Sequence, residues 1–267
     1  MAIGPSDIQL TDRVAVVTGG GAGIGRGIAA AMVAFGASVA IWERDADSCA
    51  AAADTIGALG IVTDVRDTEQ VESALQRTTD ELGPVSILVN NAGGTFFSRL
   101  LETSENGWDA LYKANLRHVL LCTQQVARQL VSAARPGSII NLTSIEGVRA
   151  APGYAAYAAA KAGVINYTKT AAFELAPHGI RVNALAPDIT LTEGLANLGA
   201  LSAQVSHVVP MGRPGTVDEI ASAAVFLASD MASYITGQTI HVDGGTHAAG
   251  GWYHHPTTSN PQLGPSQ

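Results

Sequence analysis

The sequence predicts an α/β fold: one open, doubly wound sheet of parallel strands with helices on both faces. Three observations carry this. Short apolar runs rich in β-branched residues alternate with helix-like stretches along most of the 267 residues. Runs such as Ile87-Leu88-Val89 and Ser138-Ile139-Ile140 are apolar rather than alternating, as strands covered on both faces are. The first run also feeds a glycine-rich turn and then a helix, the start of a βαβ unit with its right-handed crossover.

In chain order, strands are predicted near 13–18, 38–42, 60–63, 85–90, 138–143, 180–185 and 238–242. Helices are predicted between them near 23–35, 45–57, 67–82, 108–133, 154–176 and 216–228. No internal repeat or interdomain linker interrupts the series, so residues 1–245 are expected to form one domain. The segment 188–213 breaks the βα rhythm. Its Leu191, Leu195, Leu198, Leu201, Val205, Val208, Val209 and Met211 suit either a short-helix lid over an apolar substrate or packing on the core or a neighbouring subunit. Residues 246–267 form an extension with no partner strand. Its Gly, Pro, Ser and Asn content suits disorder, while Trp252 and Tyr253 suggest that its first part docks.

Composition narrows the function. A formal charge of −8, from 15 basic and 23 acidic residues, and the absence of a basic stripe disfavour nucleic acid and anionic membrane as partners. No apolar run is long enough to span a bilayer, and no secretory signal is evident, so a cytoplasmic protein is expected. Cys49 and Cys122 are isolated and lack metal spacing, which suits free thiols in a reducing compartment. His254 and His255 stand together without further ligands, so no metal site is expected.

Two motifs carry chemistry. Thr18-Gly19-Gly20-Gly21-Ala22-Gly23-Ile24-Gly25 follows the run Val14-Ala15-Val16-Val17 and opens the apolar stretch from Ile28 to Phe35. Strand, glycine turn and helix are the context of a dinucleotide fingerprint. The glycines permit close backbone approach to a pyrophosphate, and the helix start favours its charge. The spacing reads T-G-x-x-x-G-x-G rather than G-x-G-x-x-G. The second motif is Tyr157 with Lys161, which an i, i+4 spacing places on one helix face. A cation there favours the phenolate. Bringing a phenol from about 10 to about 7 requires roughly 4 kcal/mol of preferential stabilisation.

With Asp64-Val65, Asn90-Asn91-Ala92-Gly93, Asn115, Ser144, Pro187 with Thr192, and Val242-Asp243-Gly244-Gly245 in this order, the chain resembles the short-chain dehydrogenase/reductase family from about Asp12 to Gly245. The resemblance implies a Rossmann-type, seven-stranded parallel sheet and hydride transfer between a nicotinamide and a secondary alcohol or ketone. It gives Tyr157 the role of general acid and base. Lys161 would hold the ribose as well as the phenolate. Ser144 would donate to the substrate oxygen, with Thr143 the neighbouring alternative, and Asn115 would brace a helix kink and a proton-conducting water.

On the cofactor side, Gly19, Gly23, Ile24 and Gly25 face the pyrophosphate. Glu43, at the end of the second strand, can accept both adenosine ribose hydroxyls, which favours NAD over NADP, although Arg44 beside it could pair with a 2′-phosphate. Asp64 and Val65 are expected at the adenine. Asn91, Ala92 and Gly93 are expected at the carboxyl edge of the fourth strand, with Asn91 also bracing strands. Pro187, Thr190 and Thr192 frame the nicotinamide loop. Asp188 stands where Gly usually follows that Pro, which puts the loop geometry in question. The substrate wall is expected to include Ser144, Glu146, Tyr154, Tyr157, Leu191 and Leu195.

The expected function is an NAD-dependent alcohol dehydrogenase or ketoreductase acting on an apolar or cyclic secondary alcohol/ketone pair. The competing readings are a nicotinamide-nucleotide sensor without turnover and an NADP-dependent carbonyl or 3-oxoacyl reductase. The family further implies a homotetramer, built on the helices near 108–133 and 154–176.

Overall fold

The computed structural model describes residues 3–193, 205, 207–255, 257–258 and 260–263. The first repeat of the fold is β1 (Val14–Thr18), α1 (Gly23–Ala34) and β2 (Ser38–Glu43). It continues through α2 (Ala46–Ile56), β3 (Leu59–Val62), α3 (Thr68–Leu82) and β4 (Ile87–Asn90). Then come α4 (Glu105–Tyr112), α5 (His118–Ser132), β5 (Gly137–Leu142), α6 (Ala155–Leu175) and β6 (Ile180–Pro187). A short parallel pair, β7 (Thr190–Leu191) and β8 (Gly215–Thr216), precedes α7 (Val217–Ala228) and β9 (Thr239–Val242). The chain closes with α8 (Thr246–Ala249), β10 (Trp252–His254) and β11 (Pro261–Leu263).

Among the described residues, seven strands form one parallel sheet in the order β3-β2-β1-β4-β5-β6-β9. The order reverses between β1 and β4, which are neighbours in the sheet but not in sequence. Such a reversal opens a crevice at the carboxyl ends of the strands. Both faces of the sheet are covered. Ala15, Val17, Ile41 and Ile140 pack with α1 and α7, whereas Val16, Trp42, Leu88 and Ile139 pack with α3 and α5. This double burial explains the uniformly apolar strands.

Helix ends follow local chemistry. Asp45 accepts from Ser48 N at 2.9 Å to start α2, and Asp67 accepts from Glu69 N and Gln70 N to start α3. Thr216 and Glu219 form a capping box on α7.

Two sequence expectations are corrected. The helix expected near 108–133 is three pieces: α4 begins earlier because Ser104 accepts from Gly107 N, and a π-turn over Lys113–Arg117 separates it from α5. The extension does find a partner strand, though not in the main sheet. Its β10 and β11 pair antiparallel with each other, and Tyr253 donates to Gln262 across them at 3.0 Å. Among the described residues no helix is long and apolar enough to cross a membrane, and none of the His, Cys, Asp and Glu side chains cluster as a metal site.

Candidate active site

A cavity of about 940 Å³ runs along the carboxyl ends of β1, β2, β3 and β4, the size range of a large ligand site. Gly19, Gly23, Ile24, Gly25, Glu43, Arg44, Asp64, Val65, Asn91, Ala92, Gly93, Thr190 and Thr192 all line it, as does Tyr154. Pro187 ends β6, one residue before the wall begins at Asp188. Leu195 lies outside the described residues, as do Leu198 and Leu201. Leu191, Val208 and Met211 are exposed, whereas Val205 and Val209 are buried, as the packing alternative expects of them.

The glycine turn is built for backbone approach. A Cβ placed on Gly25 would lie 2.1 Å from Gly19 O and 2.3 Å from Asn91 Nδ2, so no larger residue fits there. Asn91 fixes the same turn, donating from Nδ2 to Thr18 O and Gly19 O, both at 3.0 Å. Ala22 provides α1 with no side-chain cap, which leaves the N–H groups of its first turn for an anion. At the far end Glu43 turns its carboxylate onto the backbone, accepting from Arg44 N at 2.7 Å, Asp45 N at 3.1 Å and Gly21 N at 3.3 Å. Asp64 is gripped by Arg66, whose hydrogen bond holds its carboxyl below the usual range. These residues fit a dinucleotide: a tight turn, an uncapped helix start and a carboxylate near a ribose position, around a cavity large enough.

The reacting cluster lies at the ends of β4, β5 and α6. Ser144 is buried two residues past β5; its hydroxyl accepts from Glu146 N at 3.2 Å and lies near enough to the Tyr157 phenol to favour its ionised form. Thr143 is occupied elsewhere, donating to Lys161 O at 2.7 Å. Lys161 is buried; its Nζ donates to Leu142 O at 2.8 Å and stands 5.6 Å from the centre of the Tyr157 ring. Gly93 brings the cavity wall against the cluster, since a Cβ there would lie 2.9 Å from Asn115 Oδ1 and 3.7 Å from Lys161 Nζ. Asn115 sits inside the π-turn, fully buried. Its amide donates to Gly94 O at 2.8 Å and to Leu111 O at 3.0 Å, filling the gap that the wide turn opens.

The electrostatics differ from the sequence expectation in one respect. Burial raises the Tyr157 phenol, with Ser144 pulling it back and the Glu146 charge adding to the rise. In the protein alone, then, burial outweighs the groups that favour the phenolate. The ammonium is spent on a carbonyl, and burial pulls its own pKa down to about 8. The same burial, aided by the charge of Lys161, pulls His118 down to about 3 and keeps that imidazole neutral.

The remaining expected residues are placed as follows. Tyr154 precedes the first residue of α6 without capping it and meets the Phe97 ring edge-on, with centroids 5.7 Å apart. Glu146 is partly covered and paired with Arg149. Asp188 has no left-handed backbone, so an aspartate is held there without that strain. Sequence reading missed the support beneath the cluster. Asn90 and Asn141 face each other in register on β4 and β5 and bond at 2.8 Å; Asn90 also reaches Thr123 and Asn141 reaches Thr168. One asparagine near the end of each of two apolar strands was the available signal.

Known proteins share this fold and much of this sequence. A family model described as "Enoyl-(Acyl carrier protein) reductase" matches residues 19–247. A 3-oxoacyl-(acyl-carrier-protein) reductase of Chlamydia muridarum is 40% identical over 88% of this chain and 98% of its own length. One from Staphylococcus epidermidis is 41% identical over 88% and 99%. Among solved structures, a short-chain type dehydrogenase/reductase from Mycobacterium marinum superposes with a TM-score of 0.86 at 34% identity, covering 90% of this chain and 98% of the other. A putative 2-deoxy-D-gluconate 3-dehydrogenase from Agrobacterium tumefaciens, with bound NADP, gives 0.83 at 35% identity, covering 91% and 99%.

Proposed function

The chain belongs to the short-chain dehydrogenase/reductase family of oxidoreductases, and we propose that it moves a hydride between NAD(H) and a secondary alcohol or ketone of apolar or cyclic character. One observation carries this reading: Ser144, Tyr157 and Lys161 meet at the end of β5 and the start of α6, against the same Gly93 wall that lines the large cavity.

When bound, the nicotinamide supplies the hydride donor or acceptor. The protein supplies the proton and the geometry. In reduction the Tyr157 hydroxyl gives its proton to the substrate oxygen; in oxidation the phenolate takes it. Ser144 donates a hydrogen bond to that oxygen as charge gathers on it. Lys161 sets a cation beside the phenol, 5.6 Å from its ring centre, and would hold the nicotinamide ribose when the cofactor is bound, while Asn115 holds the Gly94 backbone. The positive charge of oxidised nicotinamide then adds to that of Lys161 in lowering the phenol against its burial. Glu43 takes the adenosine ribose, and its negative charge opposes a 2′-phosphate, which is the support for NAD.

A second reading has its own support. The relatives are named as 3-oxoacyl-(acyl-carrier-protein) reductases, one solved neighbour holds NADP, and Arg44 and Arg66 both line the adenosine end of the cavity. An NADP-linked 3-oxoacyl reductase follows from these. We place the protein in the cytoplasm, where its buried Cys49 and Cys122 stay reduced, as a homotetramer joined through α5 and α6.

The test is a panel of cyclic ketones, aliphatic secondary alcohols and a 3-oxoacyl thioester, each assayed with NADH or NAD and with NADPH or NADP. Turnover of a neutral ketone with NADH above NADPH supports the first reading. Preference for the thioester with NADPH supports the second. Cofactor binding with no turnover on any member makes the protein a nucleotide sensor.

A further inference from the structure

An ionic group beside the reacting phenol takes no part in the mechanism above. Arg149 lies on the turn that follows Ser144. Its Nε and Nη2 donate to Glu146 Oε1 at 3.2 and 2.6 Å, and Nη2 also donates to Asp188 Oδ1 at 3.3 Å. The last bond joins two segments 39 residues apart in sequence. Exposure of the three side chains falls from 40% at Arg149 to 26% at Glu146 and 7% at Asp188.

Asp188 opens the strap that borders the cavity. Thr190 Oγ1 donates to Asp188 O at 3.0 Å, Gly215 N donates to Ile189 O at 2.9 Å, and Thr192 stands over Gly23. At the strap's other end Glu193 pairs with Arg26 on the first turn of α1. An exposed ion pair contributes little to stability. A carboxylate as covered as that of Asp188 is different, because removal of its partner leaves a charge without compensation.

We infer that Arg149 is a positioning residue for hydride transfer, a clasp that fixes the turn after Ser144 against the strap begun by Asp188. The clasp sets the spacing between the proton-donating wall and the nicotinamide side of the cavity, and it rests on the oxidoreductase reading given above. It has a second effect. The groups facing Tyr157 are Ser144, Glu146 and Lys161, and those facing Arg149 are Glu146, Asp188 and Asp243. The Glu146 charge raises the phenol, and Arg149 offsets that charge from the other side. Without Arg149 the pH midpoint of oxidation should move up; without the Glu146 charge it should move down.

Three full-length variants test this: Arg149→Met, Arg149→Met with Asp188→Asn, and Glu146→Gln. NADH affinity is read by fluorescence titration, and the pH profile by alcohol oxidation with NAD. Arg149→Met should raise the NADH Kd about tenfold, the low end for a pair with one covered member. Asp188→Asn in that background should restore most of the loss, and Arg149→Met and Glu146→Gln should shift the pH midpoint in opposite directions. Native NADH affinity and pH profile in Arg149→Met, or no recovery in the double variant, would overturn the clasp while leaving the oxidoreductase reading standing. A wild-type protein that bound no nicotinamide cofactor would overturn both. If Arg149→Met fails to fold, Arg149→Lys takes its place: it keeps the charge but not the two-pronged reach. A smaller loss in the same direction then supports the clasp, and native constants contradict it.

Discussion

Lys161 shows most clearly what single side chains cost in this site. Burial lowers its pKa from 10.5 to about 8, so the folded protein holds a charge that the unfolded chain carries more easily. Between those two values the unfolded state binds the extra proton, and stability rises with pH in that window. At neutral pH the penalty is complete, roughly 3 kcal/mol at 1.36 kcal/mol per unit. Lys161→Met removes it but strands the Leu142 carbonyl, which costs about 1 kcal/mol. The variant should therefore be about 1–2 kcal/mol more stable than wild type at pH 7 in urea titrations, with the gap closing by about pH 10, while turnover is lost. Equal stability at all pH values would contradict the burial of a charge here. Glu43 makes the matching prediction for cofactor choice: Glu43→Gln should move the NADPH/NADH ratio of kcat/KM about tenfold towards NADPH. No change in that ratio would remove the argument for NAD.

At the scale of the element, Asn115 and its π-turn explain why a helix expected to be continuous is not. The sequence reads as one helix near 108–133 because the π-turn within it contains no Gly or Pro to mark it. The single sign was a polar amide at a position that burial makes costly. Asn115→Leu leaves Leu111 O and Gly94 O without donors and should destabilise the fold by about 2 kcal/mol in chemical denaturation. A loss below the error of that measurement would mean that water or a shifted turn replaces the amide. The strands were legible for the opposite reason. The central strands β1, β4, β5 and β6 are buried on both faces, so composition marks them, and the glycine turn after the first followed from that placement. The pairing within β10 and β11 was not legible, since three-residue strands leave too little pattern to read. The raised phenol was illegible for another reason: spacing places Lys161 beside Tyr157 but says nothing of how dry the site is or of the carbonyl that takes the ammonium.

For the whole molecule, strand order does what no local signal can. Placing β4 next to β1 brings residues from positions 19, 91, 115, 144 and 157 to one edge of one sheet, although most of the chain separates the first from the last. The candidate catalytic and cofactor residues were named as a set through the family resemblance, and the strand order is what gathers them. The substrate side was not legible, because its wall depends on loop contacts such as Phe97 on Tyr154 and Arg149 on Asp188 that no periodicity encodes. Assembly belongs to this scale too. The face between α5 and α6 carries a groove lined by Leu120, Leu121 and Val131, with Phe173 exposed nearby, and light scattering should return a tetramer. A monomer would contradict that assignment without touching the site. The most direct test of the central claim, that the Tyr157 hydroxyl exchanges the proton that accompanies hydride transfer, is the turnover of Tyr157→Phe set against its NADH affinity. The account predicts a kcat about a thousandfold lower with NADH affinity changed by no more than about threefold; a variant that binds NADH and turns over at the native rate would contradict it.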